Sequence, residues 1–355
     1  KTTKTFFSDK DWEKLRGTID PTILAECEAI EARWKGGHKG IYVYIAYIKE
    51  RLIQCERVLK DTGTCAIHCD YHASHYLKVM MDEIFGYDNF VNEIIWKRTN
   101  SAKAQTEGFG KQHDTILVYG KSKNRTFHPQ YREPDEKYLA SFRYEDGHGQ
   151  YQSVALSNTT NIGGFAKMKT FEWRGMTARW IYSLEQLEKW WKEDKIMKTK
   201  KGYRLKVYLK DSKGPPVSDI WTDNEVAPIQ GRNKENLGYP TQKPEALLER
   251  IINAFSNKND IVMDCFAGCG TCLAVAKKSN RQFIGVDISR TGCDVMRTRL
   301  GGSVKVIGGE TIEELSKMDP NDFARLMIVE KLGGIINPKK SGDMGIDGWL
   351  DFKTI

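Results

Sequence analysis

Apolar residues recur along the chain at two spacings, and the alternation between them predicts the elements. Between 41 and 60, Ile45, Ile48, Leu52, Cys55 and Leu59 fall at helical intervals, so an amphipathic helix is expected, closed by Asp61-Thr62-Gly63. A short apolar strand at 63–69 follows, then a helix near 72–85 with Leu77, Met80, Met81 and Ile84 on one face. Strands are expected at 92–96 and 115–119. From about 99 to 230 the periodicity dissolves, and Gly163-Gly164 and Pro215-Pro216 punctuate an irregular stretch. Alternation returns after 240 with a helix at 244–255, a strand at 260–265, a glycine turn, a helix at 271–279, a strand at 282–286 and a helix at 289–299. Short strands alternating with helices predict an α/β fold.

Composition narrows the class. With 355 residues, 40% of them hydrophobic and 11% aromatic, the chain can bury a large core, which excludes a mainly disordered or fibrous protein. No run of about 18 apolar residues occurs, so no membrane span is expected. The first residues, from Lys1 to Phe7, carry neither a signal-peptide core nor a Met, and the natural start is expected upstream.

The net charge of +8 has a location. Residues 167–213 hold 14 Lys/Arg against 6 Asp/Glu, a surplus of eight, so the remainder of the chain is neutral in sum. Trp173, Trp180, Trp190, Trp191, Tyr203 and Tyr208 are interleaved with those charges. Two readings stand side by side: a nucleic-acid surface with cations on phosphates and rings on bases, or a solvated Lys-rich face over a small aromatic core.

Eight cysteines without an export signal read as reduced thiols in a cytosol. Cys265, Cys269 and Cys272 match in spacing the thiolate triad that holds an iron–sulfur cluster in radical enzymes, yet they are threaded with Gly268 and Gly270 after an apolar strand, and Thr271 stands where an aromatic is expected. Buried cysteines filling a tight turn are the preferred reading, and no metal is expected. His68, Asp70, His72 and His75 straddle a strand end and a helix start, which suits pocket lining or an N-cap better than a metal site.

The strongest chemistry lies in 260–290. A strand delivers Asp264, the turn Phe266-Ala267-Gly268-Cys269-Gly270-Thr271 lets backbone approach a ligand where a Cβ would clash, and the next strand ends at Asp287, where ribose hydroxyls could be held. Leu273 replaces the third glycine of a dinucleotide fingerprint, so a nucleoside without a pyrophosphate fits better. Structural βαβ units carry similar turns.

Thr241-Gln242-Lys243-Pro244, followed about twenty residues later by Asp264-Cys265-Phe266-Ala267-Gly268-Cys269-Gly270-Thr271, resembles the DNA amino-methyltransferases that act on exocyclic nitrogens. The stretch from His68 through Trp96 to Tyr119 is similar to the permuted β-type of that family and to type III modification subunits. The resemblance implies a Rossmann-like class I S-adenosylmethionine-dependent methyltransferase fold, a mixed sheet with helices on both faces in permuted order, with an inserted target-recognition region. It divides the chain into a catalytic half at 1–98, an insert at 99–235 whose strands near 99–120 could join the core sheet, a cofactor half at 236–300 and an extension at 301–355.

It further implies S-adenosylmethionine held by Thr241, Gln242, Lys243, Asp264, Phe266, Ala267, Gly268, Gly270, Thr271, Asp287 and Ile288. Double-stranded DNA is the implied substrate, contacted by Lys189, Lys192, Lys195, Lys198, Lys200 and Lys201. Methyl transfer to adenine N6 in a bacterial or phage restriction-modification or epigenetic system is the leading expectation, in the cytoplasm and associated with the nucleoid, with a homodimer or a restriction subunit as further partners. Cytosine N4 transfer and a catalytically silent DNA-binding subunit are the alternatives.

The family's Asp/Ser-Pro-Pro-aromatic loop does not occur in these residues and is expected upstream of Lys1, which leaves the catalytic residues unassigned, with His68 and Asp70 as candidates to line the pocket. In the extension, Gly342-Asp343-Met344-Gly345-Ile346-Asp347-Gly348 looks like the metal-aspartate segment of restriction-type nucleases, and the chain ends before the Glu-x-Lys strand such a nuclease would need.

Overall fold

The computed structural model describes residues 16–31, 41–99, 108–157, 169–230, 233–239, 241–301, 304–305, 335–336 and 348–349. The chain divides into two compact units, one of residues 1–128 with 219–355, and one of residues 129–218.

In the first unit, helix α1 (Pro21–Glu31), which periodicity did not reveal, precedes α2 (Ile41–Val58), β1 (Thr64–Cys69), α3 (Ser74–Phe85), β2 (Phe90–Lys97) and β3 (His113–Gly120). The 41–60 stripe behaves as its spacing predicts: Val43, Ile45, Ala46, Ile48 and Leu52 of α2 are buried, together with Leu77, Met80, Met81 and Phe85 of α3. Each such large side chain withdrawn from water contributes on the order of 2 kcal/mol. The strands form a mixed sheet in the order β1-β3-β2-β10, where β10 is Ile220–Trp221. β3 pairs antiparallel with both β1 and β2, and β10 runs parallel to β2. β3 is buried along nearly its whole length, which explains its near-continuous apolar run. The core sheet therefore draws on residues beyond 98 and from 220–221.

The second half of this unit is a β–α–β–α succession: α6 (Glu245–Phe255), β11 (Ile261–Asp264), α7 (Thr271–Lys278), β12 (Gln282–Gly285) and α8 (Arg290–Leu300). β11 and β12 pair in parallel, with Asp264 opposite Gly285. Leu273 explains the interrupted fingerprint. It is buried on α7 and packs on Gly285, where an added Cβ would stand 2.2 Å from Leu273 Cδ1. The close helix–strand approach is thus made by a glycine on the strand and a leucine on the helix, the reverse of the dinucleotide pattern. Arg250 of α6, itself buried, binds Asp223 at 2.9 and 3.0 Å and Glu225 at 2.8 Å, with its guanidinium 5.1 Å from the Trp221 ring. These contacts fasten α6, and with it the chain just before it, to the end of the mixed sheet.

The second unit corrects the expectation of an irregular insert. After a one-turn helix α4 (Glu136–Leu139), β4 (Tyr144–Asp146), β5 (Gly149–Ala155), β8 (Ile196–Thr199) and β9 (Gly202–Tyr208) form an antiparallel sheet in the order β4-β5-β9-β8. A hairpin of β6 (Lys169–Trp173) and β7 (Met176–Trp180) and helix α5 (Leu184–Lys192) complete it. The strands are short and interrupted by polar residues, so no window held a clean period. The nuclease-like run lies outside the described residues except for its last residue, Gly348; two short strands, β13 (Ile335–Ile336) and β14 (Gly348–Trp349), pair antiparallel.

Candidate functional site

β11 ends at Asp264, whose Oδ1 accepts the Phe266 N–H at 3.0 Å and starts the turn. The turn is then tied to the end of β12: Ala267 N–H donates to Val286 O at 3.0 Å, and Gly268 N–H donates to Asp287 Oδ2 at 2.7 Å. Gly268 and Gly270 both adopt left-handed backbone, with φ of +53° and +72°. At Gly270 a Cβ would lie 2.6 Å from Met296 Cγ, so the turn needs glycine for space as well as for conformation. The N-terminal turn of α8 approaches equally closely, since a Cβ on Gly292 would lie 2.8 Å from Gly268 O. Helix α8 is capped by Ser289, whose hydroxyl accepts the Gly292 N–H at 3.2 Å.

A pocket opens over this turn, lined by Asp264, Phe266, Ala267, Gly268, Cys269, Thr271 and Cys272 on one side and by Tyr239, Thr241, Gln242, Lys243 and Leu248 on the other. The two signature segments are therefore brought together. Within the pocket their roles divide. Gln242 braces the preceding loop, accepting the Leu237 N–H at 2.9 Å and donating to Glu235 O at 2.7 Å. The Thr271 hydroxyl is buried and accepts from Arg299 at 3.0 Å; Arg299 also binds Glu245 at 2.7 Å. Phe266 is partly exposed, its ring 6.3 Å from Tyr47 of α2.

Three predicted residues do not line the pocket. Gly270 packs on Met296, Ile288 is 89% exposed, and Asp287 directs both carboxylate oxygens to backbone, Oδ1 accepting the Ser289 N–H at 2.7 Å. Tyr239, Leu248, Cys269 and Cys272 are the lining residues that sequence reasoning missed, and only adjacency to the two signatures could have suggested them.

The electrostatics are unbalanced in a useful direction. Burial raises the Asp264 carboxyl above its ordinary range, and the nearby Asp287 charge adds to that. Burial lowers the Lys243 ammonium; Asp114 opposes this and Arg98 reinforces it. A second polar cluster thus reaches Lys243. In it, His68 Nε2 lies 3.1 Å from Asp114 Oδ2 and Arg98 Nε lies 3.0 Å from Asp114 Oδ1, while the His68 ring meets Trp96 edge-on at 5.7 Å. Asp114 is buried, and neither His68 Nε2 nor Asp114 Oδ1 has an aligned hydrogen bond. Asp70 serves the local turn, accepting the His72 N–H at 3.0 Å and facing His72 Nδ1 at 2.9 Å. It is not the N-cap of α3, a position that falls to Ala73.

The cysteine triad does not converge. Cys265 faces Cys55, Cys269 faces the Thr271 hydroxyl and Arg299, and Cys272 packs near Val275. No group of three potential metal ligands forms among the described residues.

In the second unit the rings follow the second of the two readings, a small aromatic core. Trp173 and Trp180 are 3% and 1% exposed and form a core with Leu156, Leu187, Ile196, Tyr203 and Leu205, on which Trp190 and Trp191 pack. Tyr208 is buried as well, its hydroxyl donating to Asp146 at 3.0 Å. The rings are held by one another, with Trp173 meeting Trp180, Trp191 and Tyr203 at 4.8–5.8 Å, so they are not a stacking platform for bases. The lysines behave differently. Lys189, Lys192, Lys198, Lys200 and Lys201 are exposed, and Lys195 is half-buried beside Glu193 at 3.0 Å.

The DNA methylase family N6_N4_Mtase matches residues 5–297, and the chain belongs to that family. Among named relatives, the type II methyltransferase M.EcaI of Enterobacter cloacae is 32% identical over 69% of this chain and 55% of its own length. The type III restriction-modification enzyme StyLTI Mod subunit of Salmonella typhimurium is 27% identical over 96% of this chain and 52% of its own. The chain thus spans about half the length of these relatives. Among solved structures, the M1.HpyAVI–SAM complex is matched with a TM-score of 0.38 and 17% identity, over 71% of this chain and 81% of that one.

Proposed function

We propose that this chain carries the cofactor site and the DNA-facing insert of a site-specific DNA methyltransferase, which transfers a methyl group from S-adenosylmethionine to an exocyclic base amine. The observation that carries the reading is the single pocket into which the Thr241–Lys243 segment and the Asp264–Thr271 turn both open. Its residues suit that cofactor. The turn is bare of side chains where backbone must approach, and a half-buried carboxylate and a half-buried ammonium, Asp264 and Lys243, each have their charged form disfavoured by partial desolvation. A zwitterionic methionine end offers each of them an opposite charge.

In this reading Lys243 and the start of α6 hold the carboxylate, Gly268 admits the middle of the molecule, Gly270 lets the turn close against Met296, and Asp287 keeps the turn in shape through the Gly268 N–H. The cofactor supplies a methyl group activated on a sulfonium. The protein's share is to position the amine in line with it and to exclude water. Adenine N6 is preferred over cytosine N4 because of the likeness of the His68–Trp96 stretch to type III modification subunits. Double-stranded DNA is the substrate, and the lysines of the second unit supply phosphate contacts.

The test is tritiated methyl transfer from S-adenosylmethionine into DNA by the full-length protein, followed by nucleoside analysis to identify the modified base. Transfer lost in Lys243→Ala and Asp287→Ala is expected. DNA binding with no transfer by the intact wild-type protein would leave a silent DNA-binding subunit and overturn the enzymatic reading.

A further inference from the structure

The methyltransferase reading leaves one feature of the cofactor turn unused. Cys55, on α2, and Cys265, between Asp264 and Phe266, are 210 positions apart in sequence, yet their Sγ atoms lie 3.7 Å apart. Both thiols are free and only partly buried. A disulfide needs its sulfurs at about 2.0 Å, so the gap to close is about 1.7 Å, within reach of side-chain rotation and a small backbone shift. The other nearby thiols are poorer candidates, since burial pushes Cys65 up to about 12 and raises Cys272 still further. Cys55 goes the other way: hydrogen bonding with Cys265 outweighs burial and holds it below the ordinary thiol value, while the same contact and burial push Cys265 up. One thiolate-prone sulfur beside one protonated partner is the arrangement an attacking and a resolving cysteine require.

We infer that Cys55 and Cys265 form a peroxide-sensitive pair that couples thiol oxidation to cofactor binding. The coupling to the cofactor rests on the methyltransferase reading; the pair itself does not. The Cys55 thiolate attacks one oxygen of hydrogen peroxide, the O–O bond breaks, and hydroxide leaves and takes up a proton to become water. The resulting sulfenic acid is attacked by the Cys265 sulfur; the S–S bond forms, the S–O bond breaks, and the departing hydroxide leaves as a second water with the Cys265 proton. Two thiols are oxidised and the peroxide is reduced by two electrons. The link draws Cys265 towards α2, and its chain neighbours Asp264 and Phe266 both line the pocket. Phe266 already leans on Tyr47 of the same helix, so the turn has little freedom to absorb the pull separately.

The experiment uses the reduced full-length protein exposed to hydrogen peroxide, then alkylated and mapped as peptides without reductant, with S-adenosylmethionine affinity measured by calorimetry before and after. A Cys55–Cys265 linked peptide is expected, together with an affinity about tenfold weaker, or about 1.4 kcal/mol, that dithiothreitol restores. Cys55→Ser should bind the cofactor as the reduced wild type does and lose nothing on oxidation; Cys55→Ala serves the same purpose if the serine is poorly tolerated in its half-buried place. Recovery of both cysteines as alkylated thiols after peroxide overturns the proposal, as does a linked peptide with unchanged affinity. A reduced protein that binds no S-adenosylmethionine sinks the methyltransferase reading instead, and the peptide map then still decides whether the pair forms.

Discussion

The Asp287 carboxylate accepts the Gly268 N–H at 2.7 Å, across 19 residues of sequence, and so sets the shape of the glycine turn from the end of the neighbouring strand. Its second oxygen holds the Ser289 N–H, which brings the start of α8 to the same point. Asp287→Ala should leave two backbone donors without their partner, costing about 1–3 kcal/mol of stability and weakening S-adenosylmethionine binding by about tenfold or more. Thermal unfolding and calorimetry on the same preparation read both effects. Asn, with a single acceptor oxygen, should fall between. Cofactor affinity unchanged in the alanine variant would remove Asp287 from the site.

The contact between Leu273 and Gly285 makes an equally direct forecast. Gly285→Ala places a methyl 2.2 Å from Leu273 Cδ1, and because Leu273 is buried it has little room to yield. A loss of about 1–3 kcal/mol is expected in denaturant unfolding. Leu273→Ala in the Gly285→Ala background should relieve the clash, so the two changes together should cost less than the sum of the separate losses.

Glu245, at the start of α6, is pulled up by burial and more strongly down by Lys278 and Arg299, so its folded value lies below the ordinary carboxylate range. A group depressed on folding contributes stability above its unfolded value and loses it as pH falls through the folded one. The stability difference between wild type and Glu245→Gln should accordingly be constant near neutrality and shrink below about pH 4. Melting temperatures of the pair across that range check it. A difference that grows on acidification would mean that the ion pairs do not govern this carboxyl.

In the second unit, rings and lysines should separate cleanly. Trp180→Ala opens a void among Leu156, Leu187 and Tyr203 and should destabilise that unit by about 3–5 kcal/mol. Replacing Lys189, Lys192, Lys198, Lys200 and Lys201 by Gln should leave its fold intact, weaken DNA binding and flatten the dependence of affinity on salt. Filter binding at several salt concentrations measures the slope. An unchanged slope would make these lysines a solvated face only.

What the sequence determined by itself was local. The spacing of Ile45, Ile48 and Leu52 made a helix, the apolar run of β3 made a buried strand, and the order of Thr241–Pro244 and Asp264–Thr271 was enough to identify the family, because short-range periodicity and turn chemistry are written in consecutive residues. Tertiary structure decided whatever depended on which side of an element a residue faced and which distant partner met it. Only the folded chain gave Asp287 to backbone amides instead of leaving it free, set Cys55 against Cys265, and placed Asp114 near Lys243. Only the folded chain, too, divided the mixed basic and aromatic stretch, burying the tryptophans and leaving most of the lysines in water. The physical reason is one of cost. A tryptophan gains most by leaving water and a lysine loses most, but which neighbours allow either is set by strands whose partners lie 49 to 57 residues apart, and no window of sequence contains both partners.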